Sequence, residues 1–305
     1  MGMTEAILLT IITAATPLLI AALGELVVER SGVLNLGVEG MMIVGAAPGF
    51  AAAVLTGSTL VGVLAGIAAG MILAAVFAAL ALGLAANQVA TGLALTILGI
   101  GLSGLIGRDF VGARRDPLAK IAVPWLSDLP VVGKVLFAQD PIVYASALLA
   151  AGVWWFLWKT RAGLVLRAVG ESHGAAHALG YPVLRIRFIA VLFGGGCAGL
   201  AGAYLSLAYT PFWSPGMTAG RGWIALAIVV FAGWLPLRAV IGAYLFGGVT
   251  VLQLHAQARG WGIPSQAMSA LPYLATIAVL VVISLRRRGE AQAPAALGTP
   301  FVPDR

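Results

Sequence analysis

The sequence predicts an all-α fold: a polytopic transmembrane helical bundle of about nine spans (eight to ten), counted at roughly 20 apolar residues per crossing, with a short helix in a cytoplasmic loop. Three observations predict the bundle. Apolar residues make up 61% and charged residues 10% of the 305 positions, whereas soluble domains carry about 25% charge. No charged residue lies between Glu39 and Arg108, a stretch that needs about three crossings. The remaining charges gather in loops, which divide the chain into apolar runs.

The net charge of +7 reflects membrane orientation, not nucleic-acid binding, because Lys and Arg cluster in loops and near the C-terminal end. The 40 glycines fit close packing of helices in a bilayer. A single cysteine, Cys197, permits no intrachain disulfide and no thiolate metal site; it reads as a small packing residue. No cofactor or metal is expected. The start lacks a basic n-region and a small-residue cleavage site, so residues 6–23 are expected to be retained as a span.

The first span is expected at Ala6–Leu23, with Pro17 inside it as a kink. Gly24 to Gly40 then carries Glu25, Glu29, Arg30 and Glu39 with Asn35. A lipid-facing helix could not hold these, so the segment belongs at an interface, in a re-entrant turn or against a water-filled cavity. Spans follow at Val38–Leu55 and Leu60–Ala81, where Gly66 and Gly70 mark a packing seam. Asn87 and Gln88 precede the span Val89–Ile106; with Thr91 they either offer hydrogen bonds to a polar solute or cap a helix.

Arg108–Asp140 is a nearly neutral loop broken by Pro117, Pro124 and Pro130, suited to the outer face. The span Ile142–Trp158 leads inward, with Trp154, Trp155 and Trp158 as an interfacial belt. Lys159–Arg187 holds five basic residues against Glu171 and is placed in the cytoplasm, since each Lys or Arg at mid-membrane costs about 2.5–3.5 kcal/mol. Within it Ser172 is a candidate N-cap, Gly180 a candidate C′ residue, and Pro182 a stop.

Phe188–Tyr209 is the next span. Its glycine-rich run Gly194–Gly202 has no preceding strand and no Lys-Ser/Thr, so it is read as helix packing, not a phosphate loop. A short span from Trp223, then Val240–Leu254 and Leu271–Leu285, complete the bundle, and Arg286-Arg287-Arg288 close it on the inside. Gly37-Val38-Glu39-Gly40 and Gly220-Arg221-Gly222 open apolar runs in similar ways, a weak internal repeat. The domain reading is a transmembrane unit over 1-288 that includes the basic loop 159-187, and a disordered Ala/Pro-rich cytoplasmic tail at 289-305. Counting spans puts the N-terminus outside.

Two stretches carry a family resemblance. Glu171, Ala175-Ala176 and Gly180 resemble the Glu-Ala-Ala…Gly loop of ATP-binding-cassette (ABC) importer permeases, although the residues alone equally fit an ordinary cytoplasmic loop. Glu29-Arg-Ser-Gly-Val-Leu-Asn-Leu-Gly-Val-Glu-Gly-Met-Met42 closely resembles the signature of nucleoside permeases within the ribose and branched-chain amino-acid ABC group, and Asn87-Gln88-Val89 and Gly220–Ala227 extend it.

The resemblance implies a permease subunit, not an enzyme, in a bacterial cytoplasmic (inner) membrane. The unit 1-288 would then be the permease domain and 159-187 its coupling loop, whose cytoplasmic coupling helix docks on a separate ATP-binding-cassette ATPase through Glu171, Ala175, Ala176 and Gly180. The subunit would also work with a solute-binding lipoprotein outside and a second permease chain, a heterodimer being favoured. No Walker sequence is present: Gly133-Lys134 is followed by Val135, which cannot hold magnesium. Asn35, Glu39, Asn87, Gln88, Arg221 and Trp223 are the candidate path for nucleosides or related small polar solutes. The alternatives are an ABC permease for simple sugars and an ion-coupled secondary transporter using Glu25, Glu29 and Glu39. A membrane enzyme finds no support, because His173, His177 and His255 pair with no nucleophile or base.

Overall fold

A computed structural model describes residues 3–122, 124–125, 132–259 and 293–303, with scattered positions between 267 and 281. Among these the regular secondary structure is helical apart from one two-stranded ribbon and the isolated bridges Val111–Trp213 and Arg114–Phe212. The helices are α1 (Met3–Arg30), α2 (Val38–Thr56), α3 (Thr59–Ala78), α4 (Gln88–Gly107), α5 (Val132–Phe137) and α6 (Pro141–Lys159). After them come α7 (Arg161–Glu171), α8 (His173–Ala178), α9 (Val183–Tyr204), α10 (Arg221–Phe231) and α11 (Pro236–Ala258). Strands β1 (Ile121–Ala122) and β2 (Ala138–Gln139) pair antiparallel in the loop before α6.

Seven helices among the described residues are long and apolar enough to cross a membrane, beside the nine spans expected of the whole chain. The short span expected from Trp223 falls in α10, whose 11 residues are apolar but too few to cross alone, and the segment from Thr210 to Gly220 before it runs through isolated bridges at Phe212 and Trp213 and then turns. The expected span Leu271–Leu285, and Arg286-Arg287-Arg288 after it, lie for the most part outside the described residues.

The core is built by α1, α2, α3 and α9, and small residues set its spacing. A Cβ at Gly66 would stand 2.7 Å from Ala203 and 2.8 Å from the Gly45 carbonyl. One at Gly70 would stand 2.7 Å from Gly199 Cα. Both the predicted seam and the glycine-rich run therefore serve close helix contact. α3 and α9 each end in a π-helical turn, Ala79–Gly83 and Leu205–Tyr209.

The first helix does not stop at Leu23. It runs through Glu25 and Glu29 to Arg30, because both carboxylates are 1% exposed and face protein instead of lipid. Gly24 is a packing point against Cys197 on α9, not a helix end. Residues 293–303, within the stretch read from composition as a disordered tail, lie along the loop between α6 and α9.

Candidate functional site

The chain breaks between α1 and α2, and the break is where polar groups collect. Gly32, at φ +87°, turns the chain back, and residues 33–35 run without regular structure while buried or nearly so. Their amide groups need partners inside the protein, since a bilayer offers none. Leu34 N donates to Gln88 Oε1 at 2.8 Å, and Asn35 N donates to Glu25 Oε1 at 3.3 Å. Asn35 Oδ1 accepts from Gly37 N at 2.9 Å, an Asx-type turn that leads into α2. Thr96 on α4 donates to the Leu36 carbonyl at 3.2 Å.

Two of the side chains holding this connector are only half used. Glu25 Oε2 and Gln88 Nε2 are buried and have no hydrogen-bond partner. One is an acceptor and the other a donor, and their companion atoms sit on successive backbone amides. Unsatisfied buried polar atoms cost about 1–3 kcal/mol each, so this pair beside Asn35 is the candidate place for a polar guest.

Glu39, in the first turn of α2, is fully engaged. Its Oε1 accepts from the Thr218 hydroxyl at 2.5 Å and from Gly220 N at 3.0 Å. Its Oε2 accepts from Gly222 N at 2.6 Å. The carboxylate thus sits on the N-terminus of α10, where free N–H groups and the helix dipole favour a negative charge. The two short glycine-bearing runs that suggested an internal repeat meet at this point.

A second clamp joins the end of α1 to the turn between α10 and α11. Trp234 takes φ +58°, unfavourable for a bulky residue, and it is held from both sides. Its indole Nε1 donates to Glu29 Oε2 at 2.5 Å. Its carbonyl accepts from Arg30 Nε at 3.1 Å and Nη2 at 3.0 Å. Arg30 also lies over the Trp158 ring at 5.7 Å.

The six expected path residues therefore separate. Asn35 and Gln88 converge on the connector with Glu25, and Glu39 stands beside them as the α2–α10 clamp. Asn87 is exposed and caps α4 by accepting from Ala90 N at 3.0 Å. Arg221 donates to the Met217 and Thr218 carbonyls and lies 5.4 Å over the Tyr209 ring. Trp223 is half-buried and packs against the core. Sequence reasoning did not single out Thr218, and it noted Trp234 only as part of the resemblance, without its pairing to Glu29. The signal available was general: a carboxylate inside a span demands donors from somewhere.

The basic loop between α6 and α9 has the caps expected of it. Ser172 accepts from Ala175 N at 3.3 Å at the start of α8, and Gly180 follows its end at φ +86°. Tyr181 N closes the turn onto the Ala176 carbonyl at 3.1 Å, as in a Schellman-type stop. Glu171 is exposed at the end of α7 and accepts from Ala295 N at 3.3 Å. Ala175 and Gly180 are exposed, but Ala176 is turned inward among Val169 and Val183. Leu179 is 78% exposed.

A groove of about 1140 Å³ opens between α1, α3, α6, α7 and α9, lined by Met71, Leu149, Phe156, Phe193 and Leu200. Its one hydroxyl, Ser146, already donates to the Val143 carbonyl. Such a wall suits hydrocarbon and gives a polar solute nothing to bind.

Residues 7–283 match the family described as branched-chain amino acid transport system / permease component. The chain is 44% identical to the putative glucose ABC transporter permease protein TsgC13 of Haloferax volcanii, over 94% of each chain. It is 33% identical to the guanosine ABC transporter permease protein NupQ of Bacillus subtilis, over 94% of this chain and 93% of the relative. To the nucleoside ABC transporter permease protein NupC of Lactococcus lactis it is 31% identical, over 94% of each.

Proposed function

This chain belongs to the family of branched-chain amino acid transport system permease components, and we propose that the solute it passes is a nucleoside, with simple sugars as the second reading. It is a permease subunit of an ABC importer and a multi-pass protein of the cytoplasmic membrane. The observation that carries the solute reading is the unsatisfied pair Glu25 Oε2 and Gln88 Nε2 beside Asn35. A ribose hydroxyl donates to the first and accepts from the second. Hydrogen bonds this few hold a solute weakly enough to let it go.

The proposed path keeps Asn35 and Gln88 and adds Glu25. Glu39 holds the helices that frame it. Asn87, Arg221 and Trp223 form its rim. The relatives named for guanosine and nucleosides support the nucleoside reading, and the relative named for glucose supports the sugar reading, whose hydroxyls meet the same two atoms. Vesicles containing the assembled complex and ATP, offered a labelled purine nucleoside and labelled glucose, separate the two. Nucleoside uptake that excess glucose does not displace is expected, and it should fall in Gln88→Leu. Glucose uptake alone would overturn the nucleoside reading in favour of sugars.

ATP hydrolysis is supplied by a separate ATPase chain docked on α8, through the exposed Gly174, Ala175, Ala178 and Leu179 with Glu171 and Gly180 at its edges. A leucine left 78% exposed on a charged loop is what such a partner would cover. A solute-binding lipoprotein meets the 108–140 face, and a related but different permease completes the path as a heterodimer. Leu179→Asp is expected to abolish co-purification of the ATPase; retention of the ATPase would move the docking site elsewhere.

A further inference from the structure

Residues 293–303 make specific contacts. Ala295 N donates to Glu171 Oε2 at 3.3 Å and Ala296 N to the Gly170 carbonyl at 2.9 Å, both at the end of α7. Gly298 N donates to the Gly32 carbonyl at 3.2 Å, on the connector between α1 and α2. Phe301 lies against α8, its ring 5.2 Å from that of His173 and 5.3 Å from that of His177. It also packs on the buried cluster of Val169, Ala176 and Val183, where α7, α8 and α9 meet.

Arg187 ties the same parts together from α9. It is wholly buried. Its Nε donates to the Ser31 carbonyl at 3.1 Å, its Nη1 to the Thr299 carbonyl at 3.2 Å and its Nη2 to His173 Nδ1 at 3.2 Å. One guanidinium thus holds the connector, the C-terminal segment and the first residue of α8. A rigid planar donor with bonds to three segments makes their positions interdependent.

On the reading that α8 is the ATPase-docking helix, on which this inference rests, we propose that residues 293–303 are a coupling strap joining α8 to the α1–α2 connector, with Phe301 and Arg187 as its positioning residues. α8 has six residues and too few internal hydrogen bonds to transmit a push alone. A displacement of α8 reaches Phe301 through the two imidazole rings. It then passes along the strap to Gly32 and through Arg187 to Ser31. Both lie within a few positions of Leu34 and Asn35, whose amides bond Gln88 and Glu25, so the solute site responds to the ATPase through the strap.

The test is solute imported per ATP hydrolysed, measured in vesicles with the fully assembled complex. The variants are Phe301→Ala, deletion of 293–305, Phe301→Leu, and Ala178→Arg on the exposed face of α8. Phe301→Ala and the deletion are expected to leave the ATPase bound and hydrolysing while import per ATP falls on the order of fivefold or more. Phe301→Leu, which keeps an apolar contact, restores the ratio. An unchanged ratio in Phe301→Ala and in the deletion, with Ala178→Arg uncoupled, overturns the strap and leaves the docking helix standing. Loss of the ATPase from Phe301→Ala also overturns the strap, since the segment would then be a docking element. If Ala178→Arg itself binds the ATPase and imports normally, the docking reading fails and the strap falls with it.

Discussion

Gly222 lies against Glu39 with no room for a side chain: a Cβ at 222 would stand 2.5 Å from Glu39 Cα and 2.8 Å from its Oε2. The contact brings α10 onto the first turn of α2 and lets Gly222 N reach the carboxylate. Gly222→Ala is therefore expected to destabilise the protein by about 1–3 kcal/mol. Gly101→Ala, where a Cβ meets nothing within 4 Å, should leave stability unchanged or raise it by up to about 1 kcal/mol. Thermal unfolding of the two variants in detergent, followed by loss of the monodisperse species, checks the difference. Equal melting would mean that the α2–α10 contact is loose.

Trp234→Phe removes the indole N–H and leaves Glu29 Oε2 buried without its donor. The cost is expected at about 1–3 kcal/mol. The Arg30 bonds go to the main-chain carbonyl of residue 234 and survive the change, so the turn keeps half of its anchorage. Arg30→Ala should add a further loss when combined with Trp234→Phe. A double variant no less stable than Trp234→Phe alone would show that the two bonds do not act separately.

His173 links the strap to pH. Arg187 can only donate, so His173 Nδ1 accepts and the imidazole is neutral with its proton on Nε2. Partial burial, and then the Arg187 guanidinium, hold its pKa below the ordinary histidine value. The released form, with an ordinary pKa, binds the proton more readily than the docked form. Docking is therefore at full strength above about pH 6.5 and weakens as pH falls through the lowered value. Amide exchange at Ala296 and Gly298 is expected to be faster at about pH 5.5 than at about pH 7.5 after correction for intrinsic rates. His173→Gln, which keeps an acceptor and cannot titrate, should remove the difference; persistence of the difference in that variant would place the titrating group elsewhere.

Local signals in the sequence translated directly into structure. Ser172, Gly180 and Asn87 cap the helices their residue types suggested, because capping depends on neighbours a few positions away. The charged stretch after Leu23 was recognisable as incompatible with lipid, but not as helix, since Glu25 and Glu29 are tolerated only through partners far along the chain. Glu39 finds Thr218, Gly220 and Gly222, and Glu29 finds Trp234. No periodicity announces such pairings. The residue classes of the site, an amide and carboxylates at a break in the apolar run, were visible; which of their atoms are spent on the fold was not. The C-terminal segment failed the compositional reading because its contacts are mostly main-chain bonds, which depend little on side-chain chemistry.

The Glu39 carboxylate is shared by the opening turns of α2 and α10, and drawing those turns apart would strand a hydroxyl and two amides in a place without water. The two helices are accordingly obliged to travel as one piece. A conduit that presents its contents first to one side of the bilayer and then to the other has to hinge around this joint, never through it.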